Sequence, residues 1–225
     1  VPLNTPVIEL GRASHLFAPV ETKKASNGQR KKSQRATPQD AKNRSATPQR
    51  MSAEALAATK WQDRREAWES VTAATDAETL VTRLSKETNG AVLDAALDAV
   101  ARVASPELAP ALPYVVQKGL ANARGATQRR GLRAVVALQQ VAPNETTDAL
   151  VDGITTSKNA RGPSACAKAL TTECAPSKAW LSSNGDRLAL AVAKLASAAN
   201  GDARKAAVDL AVAVDNSVVD AKLPE

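Results

Sequence analysis

Apolar residues recur at helical spacing through most of this 225-residue chain. From position 51 onward, Ala, Leu and Val follow the i, i+3, i+4, i+7 pattern that places an apolar stripe along one face of a helix. Two stripes show the pattern clearly: Leu93, Ala96, Leu97, Val100 and Ala104, then Leu132, Val135, Val136 and Gln139. No window alternates apolar and polar residues for long enough to predict a strand. The pattern therefore predicts an all-α domain.

Short polar loops interrupt the helical pattern at regular intervals. They contain Asn89, Asn122, Asn159 and Asn200, which are spaced by 33, 37 and 41 residues. One helix pair fills such an interval, as in HEAT and armadillo repeats of roughly 40 to 47 residues. Because one pair cannot bury its own stripe, neighbouring pairs are expected to stack into an α-solenoid. The predicted pairs are 51–58 with 62–74, 76–88 with 92–104, 106–121 with 127–141, 145–155 with 163–174, and 186–199 with 203–214.

The loops within the pairs of such a solenoid emerge along one edge, which we name the loop ridge. The ridge collects a tryptophan at one end and cations in its later loops, and Trp and Arg are the residue types that most often anchor a protein interface. Its predicted members are Thr59, Lys60, Trp61, Asn89, Gly90, Ala91, Asn122, Ala123, Arg124, Ser157, Lys158, Asn159, Arg161, Asn200, Gly201, Arg204 and Lys205.

Two of the three tryptophans, Trp61 and Trp68, stand seven positions apart. That spacing puts both on one helical face, and Trp is highly buried on average, so the spacing alone favours burial of both. The repeat register instead places Trp61 in the first loop and Trp68 in the helix that follows it. Trp180 is expected to pack between the fourth and fifth repeats.

The net charge of the chain is concentrated at its N-terminal end. Residues 1–50 hold ten Lys or Arg against three Asp or Glu, whereas residues 51–225 hold twenty of each. Between Glu21 and Arg50 the only apolar side chains are four alanines, too few to offset the entropy of ordering. We therefore interpret residues 1–50 as a basic, disordered linker containing Pro, Ser and Thr, and residues 51–225 as the helical domain.

The residues that most enzymes and metal sites need are missing from the helical domain. The single histidine, His15, lies in the linker, and no Gly-rich phosphate loop or metal-type Cys/His spacing occurs. We expect no catalysis, metal, cofactor or small-molecule substrate, and no apolar run is long enough to cross a membrane. Cys166 and Cys174 lie in one predicted helix, about 12 Å apart, too far for a disulfide. They are expected to be reduced and buried.

The basic linker fits any anionic surface. Binding to nucleic acid through Lys and Arg would depend strongly on salt. However, no aromatic residue is interleaved with these cations for base stacking, and the helical domain is neutral overall. Both observations argue against a nucleic-acid partner.

The first loop and three of the later repeats carry recognisable local sequences. The first holds Lys60, Trp61, Arg64 and Trp68, and the third, fourth and fifth hold "RRGLRAVVAL", "TTSKNARGPSACAKAL" and "NGDARKAAVDLAV". In their order and spacing, these resemble a TOG domain, the tubulin-binding HEAT array of microtubule polymerases and CLASP proteins. The resemblance covers about residues 51–214. TOG arrays are flat and paddle-like and usually have six repeats, whereas five are defined here.

The resemblance implies that the loop ridge binds αβ-tubulin. In this interpretation Trp61 is exposed and presses on an apolar patch of β-tubulin, while Trp68 is core. Arg204 becomes the principal cation, facing acidic surface nearer α-tubulin. The other tubulin-binding residues that the resemblance implies are Lys60, Asn89, Ala91, Val92, Arg124, Lys158, Asn159 and Lys205. The second loop, in "TNGAV", holds no cation of its own.

The implied function is that of a tubulin-binding module in a regulator of microtubule dynamics. The linker would add affinity for the acidic lattice, and the protein would be cytoplasmic, on microtubules, the spindle or a microtubule-organising centre. The alternative is a HEAT scaffold that binds another protein or nucleic acid. In that alternative Trp61 is buried and Arg204 is a solvated charge or a partner of Asp202.

Overall fold

All regular structure in the computed structural model is helical over the residues that it describes, 53–74 and 76–219, with side chains described as far as Asp215. A 3₁₀ turn, Ala55–Ala57, precedes the first helix. The helices are α1 Trp61–Glu69, α2 Ala77–Lys86, α3 Gly90–Arg102, α4 Leu112–Tyr114, α5 Gly125–Gln139, α6 Pro143–Thr156, α7 Gly162–Thr172, α8 Lys178–Ala196 and α9 Gly201–Val219. The predicted all-α class is confirmed.

The helix α4 is the short middle of a longer irregular segment. It is preceded by 3₁₀ structure, Pro106–Ala111, and continues into the π-helical stretch Val115–Leu120. Pro110 and Pro113 have no backbone N–H to donate, so regular α-helical bonding is interrupted there. The whole of 106–120 nevertheless occupies the place of one helix in the array.

The elements follow one another in the order that the repeat spacing predicts. The 3₁₀ turn with α1, α2 with α3, 106–120 with α5, α6 with α7, and α8 with α9 follow one another along the described chain. In one layer α2 packs on the segment 106–120, that segment on α6, and α6 on α8, and in the other layer α1 packs on α3, α3 on α5, and α7 on α9. This arrangement confirms the HEAT-type α-solenoid.

A continuous apolar core runs between the two layers from Leu56 to Leu210. Its closest backbone approach joins Gly119 of the irregular segment to Gly131 of α5. A Cβ on Gly131 would lie 2.5 Å from the carbonyl carbon of Gly119, so only glycine permits this packing. Trp180 also contributes to the core, and its Nε1 donates to Asp148 of α6 at 3.2 Å. The predicted packing of Trp180 between the fourth and fifth repeats is confirmed.

Some predicted boundaries are wrong. The helix α1 ends at Glu69 rather than 74, and α8 begins at Lys178 rather than 186 because the Ser177 hydroxyl caps it by accepting from the Trp180 amide. Asn184 then interrupts the helical geometry of α8 with φ −128° and ψ 17°. The predicted linker, the start of the first helix at 51 and the segment after 219 lie outside the described residues.

The two cysteines do not share a helix as predicted, because α7 ends at Thr172 and Cys174 follows it. Both are free and buried, as expected. Burial raises the pKa of the Cys166 thiol to about 12 and that of Cys174 to about 11. Neither thiol is therefore ionised near neutral pH. In the part of the chain that the structure describes, each helix is too short or too polar to span a bilayer.

Candidate protein interface on the loop ridge

Hydrogen bonds between successive loops hold the ridge together as one edge of the solenoid. The Lys118 ammonium of the third repeat binds carbonyls of the second, and the Asn159 side chain of the fourth donates to the Ala121 carbonyl of the third at 2.8 Å. The Lys194 ammonium of the fifth repeat binds the Thr155 carbonyl of the fourth. The structure thus brings the predicted ridge residues onto one continuous edge.

Trp61 occupies a position that is filled by glycine in every other repeat. It is the first residue of α1, and the corresponding first residues of α3, α5, α7 and α9 are Gly90, Gly125, Gly162 and Gly201. Trp61 is 40% exposed, whereas Trp68, two turns later, is 0% exposed. The predicted exposure of Trp61 and burial of Trp68 are confirmed, but Trp61 begins α1 rather than lying in the loop. At this helix position, therefore, four repeats have no side chain and the first repeat has an aromatic ring.

The Arg64 guanidinium closes the turn that presents Trp61. Its Nη1 donates to the Ala58 carbonyl at 2.9 Å and to the Thr59 carbonyl at 3.1 Å. Its Nε and Nη2 donate to the Glu87 carboxylate at 3.0 and 3.3 Å. This bidentate pair joins the first loop to the second, and such fork-shaped bonds fix geometry as well as charge.

Glu87 is a carboxylate that is only 7% exposed. Besides Arg64, the backbone amides of Thr88 and Asn89 donate to it at 3.0 and 2.8 Å. Burial opposes its ionisation, but these hydrogen bonds and the charge of Arg64 outweigh burial and hold the pKa of Glu87 below its ordinary value. Glu87 is thus a charged hub beneath the ridge, not an exposed contact.

Arg204 closes the fifth loop in the way that Arg64 closes the first. Each is the fourth residue of its helix, and the Arg204 Nη1 donates to the Ala198 and Ala199 carbonyls at 2.9 and 2.8 Å. Among the described residues no carboxylate pairs with Arg204. Arg204 is exposed, and its Nε and Nη2, the atoms that in Arg64 bind Glu87, have no acceptor among the described residues. The pairing with Asp202, which was one of the alternatives for Arg204, does not form.

In the second loop, the predicted contact residues differ in accessibility. The Asn89 carboxamide oxygen caps α3 by accepting from the amides of Ala91 and Val92 at 3.0 and 3.3 Å. Asn89 and Ala91 are half-buried. Val92 is 0% exposed because it points into the core between the layers. The prediction of a direct side-chain contact at Val92 is therefore wrong.

The second loop receives a cation from the third. The Arg124 guanidinium lies over Gly90, where any Cβ would collide with it, and its Nη2 pairs with Asp94 at 2.5 Å. Asp94 also accepts from the Thr127 hydroxyl at 2.6 Å. The absence of a cation in "TNGAV" is thus compensated across the repeat boundary, which only the fold reveals.

The remaining predicted residues divide into exposed charges and structural bonds. Lys60 lies just before α1, and it and Lys158 are exposed. Asn159 is mainly structural, since its carboxamide oxygen also accepts from the Arg161 amide at 3.1 Å. Lys205 is exposed and pairs with Asp209 one turn later at 2.7 Å. Such exposed i, i+4 pairs are weak, so Lys205 remains available to a partner.

Sequence reasoning missed Glu87 and Lys118. Nothing in the loop pattern marks Glu87 as buried, because an acidic residue beside Asn and Gly is typical of a solvated loop. Lys118 lies inside a helical stretch. Burial of its ammonium lowers its pKa, and this effect outweighs the opposing effect of the negative charge of Glu87. The signal in the sequence is an arginine at the fourth position of both α1 and α9, Arg64 and Arg204. Over the described residues, no cluster of three or more potential metal ligands occurs.

Comparison with known proteins identifies the fold of this chain. No protein-family model matches the chain, and no curated protein does. The chain is similar to a structure on tubulin recruitment and assembly by microtubule polymerases with TOG domain arrays, with TM-score 0.61 and 18% identity over 72% of this chain and 39% of that one. It is also similar to a structure on TOG–tubulin binding specificity in microtubule dynamics and mitotic spindle formation, with TM-score 0.55 and 17% identity over 72% of this chain and 69% of that one. The helical part of this chain has a TOG-like fold.

Proposed function

We propose that this protein binds αβ-tubulin through the loop ridge. The observation that carries the proposal is the exposure of Trp61 on an edge that elsewhere presents glycine, within a TOG-like fold. A partly exposed Trp on a well-ordered turn is the kind of residue that contributes most to a protein interface. The two similar structures concern tubulin recruitment and TOG–tubulin binding specificity.

The two ends of the ridge would make chemically different contacts. Trp61 offers an aromatic face for an apolar patch, which we assign to β-tubulin. Arg204 is exposed and offers its unbonded Nε and Nη2 to a carboxylate, which we assign to α-tubulin, because Arg recognises carboxylates through two parallel N–H bonds. Lys60, Arg124, Lys158 and Lys205 would add electrostatic attraction, and Asn89, Ala91 and Asn159 would shape the surface between them.

The wider role follows from this binding. We propose that the chain is a module of a microtubule-dynamics regulator in the cytoplasm, and that the basic residues of 1–50 add affinity for the acidic lattice. It acts by binding rather than by catalysis. A ridge that meets tubulin together with a basic linker would have higher avidity than either part alone.

Co-elution with αβ-tubulin in size-exclusion chromatography tests the proposal. The full chain should shift tubulin to a larger complex at low salt, and raised salt should weaken but not abolish that complex, because the Trp61 contact is apolar. A chain without residues 1–50 should still form the complex with lower affinity. The proposal fails if the full chain and tubulin elute separately at low salt.

A HEAT scaffold for another protein is the second candidate. It is favoured by exposed apolar side chains on the last helix pair, where Leu190, Val208 and Val212 are 65%, 62% and 53% exposed. Exposed apolar residues grouped on neighbouring helices often mark a binding surface. Failure of the tubulin experiment with a folded protein would leave this function as the better supported one.

A further inference from the structure

We propose that Glu87 is a positioning residue for the loop ridge, fixing the turn that presents Trp61 relative to the second and third loops. The inference rests on the proposed function, since the purpose of that fixed geometry is the fit of the ridge to tubulin. Glu87 itself is buried beneath the ridge, so it acts through its neighbours rather than by contact with tubulin.

The Trp61 turn is closed from both sides of the tryptophan. Arg64 lies three residues after Trp61, and its Nη1 binds the carbonyls of Ala58 and Thr59, which precede Trp61. The Trp61 backbone is therefore enclosed in a ring that the guanidinium completes. The Nη1 of Arg204 makes the same two carbonyl bonds in the fifth loop.

Glu87 ties the closed turn to the next repeat. Its carboxylate accepts the Nε and Nη2 of Arg64, and it also accepts the amides of Thr88 and Asn89 in its own loop. The four donors come from two repeats and converge on one group. Replacing the carboxylate by a carboxamide would leave one oxygen for the two amides and the Nη2 of Arg64, and would place an NH2 donor against the Nε donor.

The third repeat is bonded to the same point. The Lys118 ammonium donates to the carbonyls of Leu84, Ser85 and Glu87 at 3.2, 2.6 and 2.8 Å. One polar network thus spans three repeats, through Ala58, Thr59, Arg64, Glu87 and Lys118. A rigid partner is bound most tightly by contacts that are already spaced correctly, because no ordering cost remains at association.

A double-mutant cycle on tubulin affinity tests the inference. Glu87→Gln, Trp61→Leu and the double variant are compared with the wild-type chain, with affinity measured by titration of labelled tubulin. We expect Glu87→Gln to weaken binding about tenfold in the wild-type background and by less than about twofold in the Trp61→Leu background, because it acts through Trp61. A second cycle pairs Glu87→Gln with Arg204→Gln, and these effects should multiply.

The matched control is Asp98→Asn. It removes another ion pair between neighbouring repeats, that of Asp98 with Arg130 at 2.8 Å, which lies away from the loops. Tubulin affinity should stay within about twofold of wild type for this variant. Equal weakening by Asp98→Asn and Glu87→Gln, or full multiplicativity of Glu87→Gln with Trp61→Leu, would overturn the inference.

Amide hydrogen exchange in the free protein separates this inference from the proposed function. Exchange at the Ala58 and Arg64 amides should speed up about tenfold in Glu87→Gln and stay unchanged in Asp98→Asn. If the wild-type chain fails to bind tubulin, the proposed function fails on that result alone. If exchange at these two amides is the same in Glu87→Gln and wild type, the positioning role fails whether or not tubulin binds.

Discussion

The loops at the two ends of the ridge, residues 58–60 and 197–200, are closed by the same side chain in the same place but present different chemistry. Arg64 and Arg204 each bind carbonyls five and six residues earlier. At the first loop the rest of the guanidinium is bonded to Glu87 and a tryptophan stands above it. At the fifth loop the corresponding first helical residue is Gly201, and the Nε and Nη2 of Arg204 have no acceptor among the described residues.

This difference shows that one structural device can serve two functions. Where the following repeat supplies a carboxylate, the arginine is consumed by the fold and another residue forms the surface. Where no such carboxylate follows in the described chain, the arginine is part of the surface. A charged ridge residue can therefore be assigned to structure or to binding only once its partners are known.

The largest expected effect separates the two tryptophans. Trp61→Ala should lower tubulin affinity by about 100-fold, as for a hot-spot residue, and lower the free energy of unfolding by only about 1–2 kcal/mol, since its ring is partly exposed. Trp68→Ala should lower the free energy of unfolding by about 3–5 kcal/mol because it leaves a cavity in the core. Titration with tubulin and urea denaturation measure the two quantities. Comparable destabilisation by both variants would show that Trp61 is part of the core.

The dependence of stability on pH tests the role of Glu87. Its pKa is lowered in the folded state, so its contribution to stability is present above the ordinary pKa of 4.5 and is lost as pH falls through the lowered value. Glu87→Gln should cost about 1.5–3 kcal/mol at neutral pH, as for a buried hydrogen bond to a charged group. It should also flatten the acid dependence of stability relative to wild type. Parallel urea denaturation curves at about pH 7 and about pH 4 measure both effects. An unchanged acid dependence would mean that Glu87 titrates as it does in the unfolded chain.

At the fifth loop, we expect the guanidinium itself to matter. Arg204→Lys should lower tubulin affinity nearly as much as Arg204→Gln, by about tenfold, because an ammonium cannot offer two parallel donors to a carboxylate. Lys205→Gln is the matched neighbour and should lower affinity by about twofold, since it removes one exposed charge. If Arg204→Lys binds tubulin as tightly as wild type, Arg204 contributes only its positive charge.

The smallest expected effect concerns the cation over the second loop. Gly90→Ala should displace the Arg124 guanidinium from Asp94 and weaken tubulin binding by about twofold to threefold. Gly125→Ala is its control, because a Cβ there meets only the Arg129 Nη1 at 3.8 Å. Equal affinities for the two variants would remove Arg124 from the interface.

Much of the array was predictable from the sequence, because apolar periodicity and loop spacing report directly on which faces must be buried. The separation of Trp61 from Trp68 was predictable from the repeat register for the same reason. The partners of Arg64, Arg124 and Arg204 were not, because they depend on contacts between repeats. Val92 was misplaced because a position near a loop says nothing of the direction in which its side chain points.

The glycines at the start of the second-layer helices also bear on how such a surface changes in evolution. One Gly codon, GGG, becomes the Trp codon TGG by a single base change. Of the four glycines, Gly90 and Gly162 are crowded by Arg124 and Ser157, whereas a Cβ on Gly125 or Gly201 would meet only the far end of an arginine, at 3.8 and 3.9 Å. One such base change at either of these two sites would therefore introduce a side chain, at the middle or the far end of the ridge, without a clash at its Cβ.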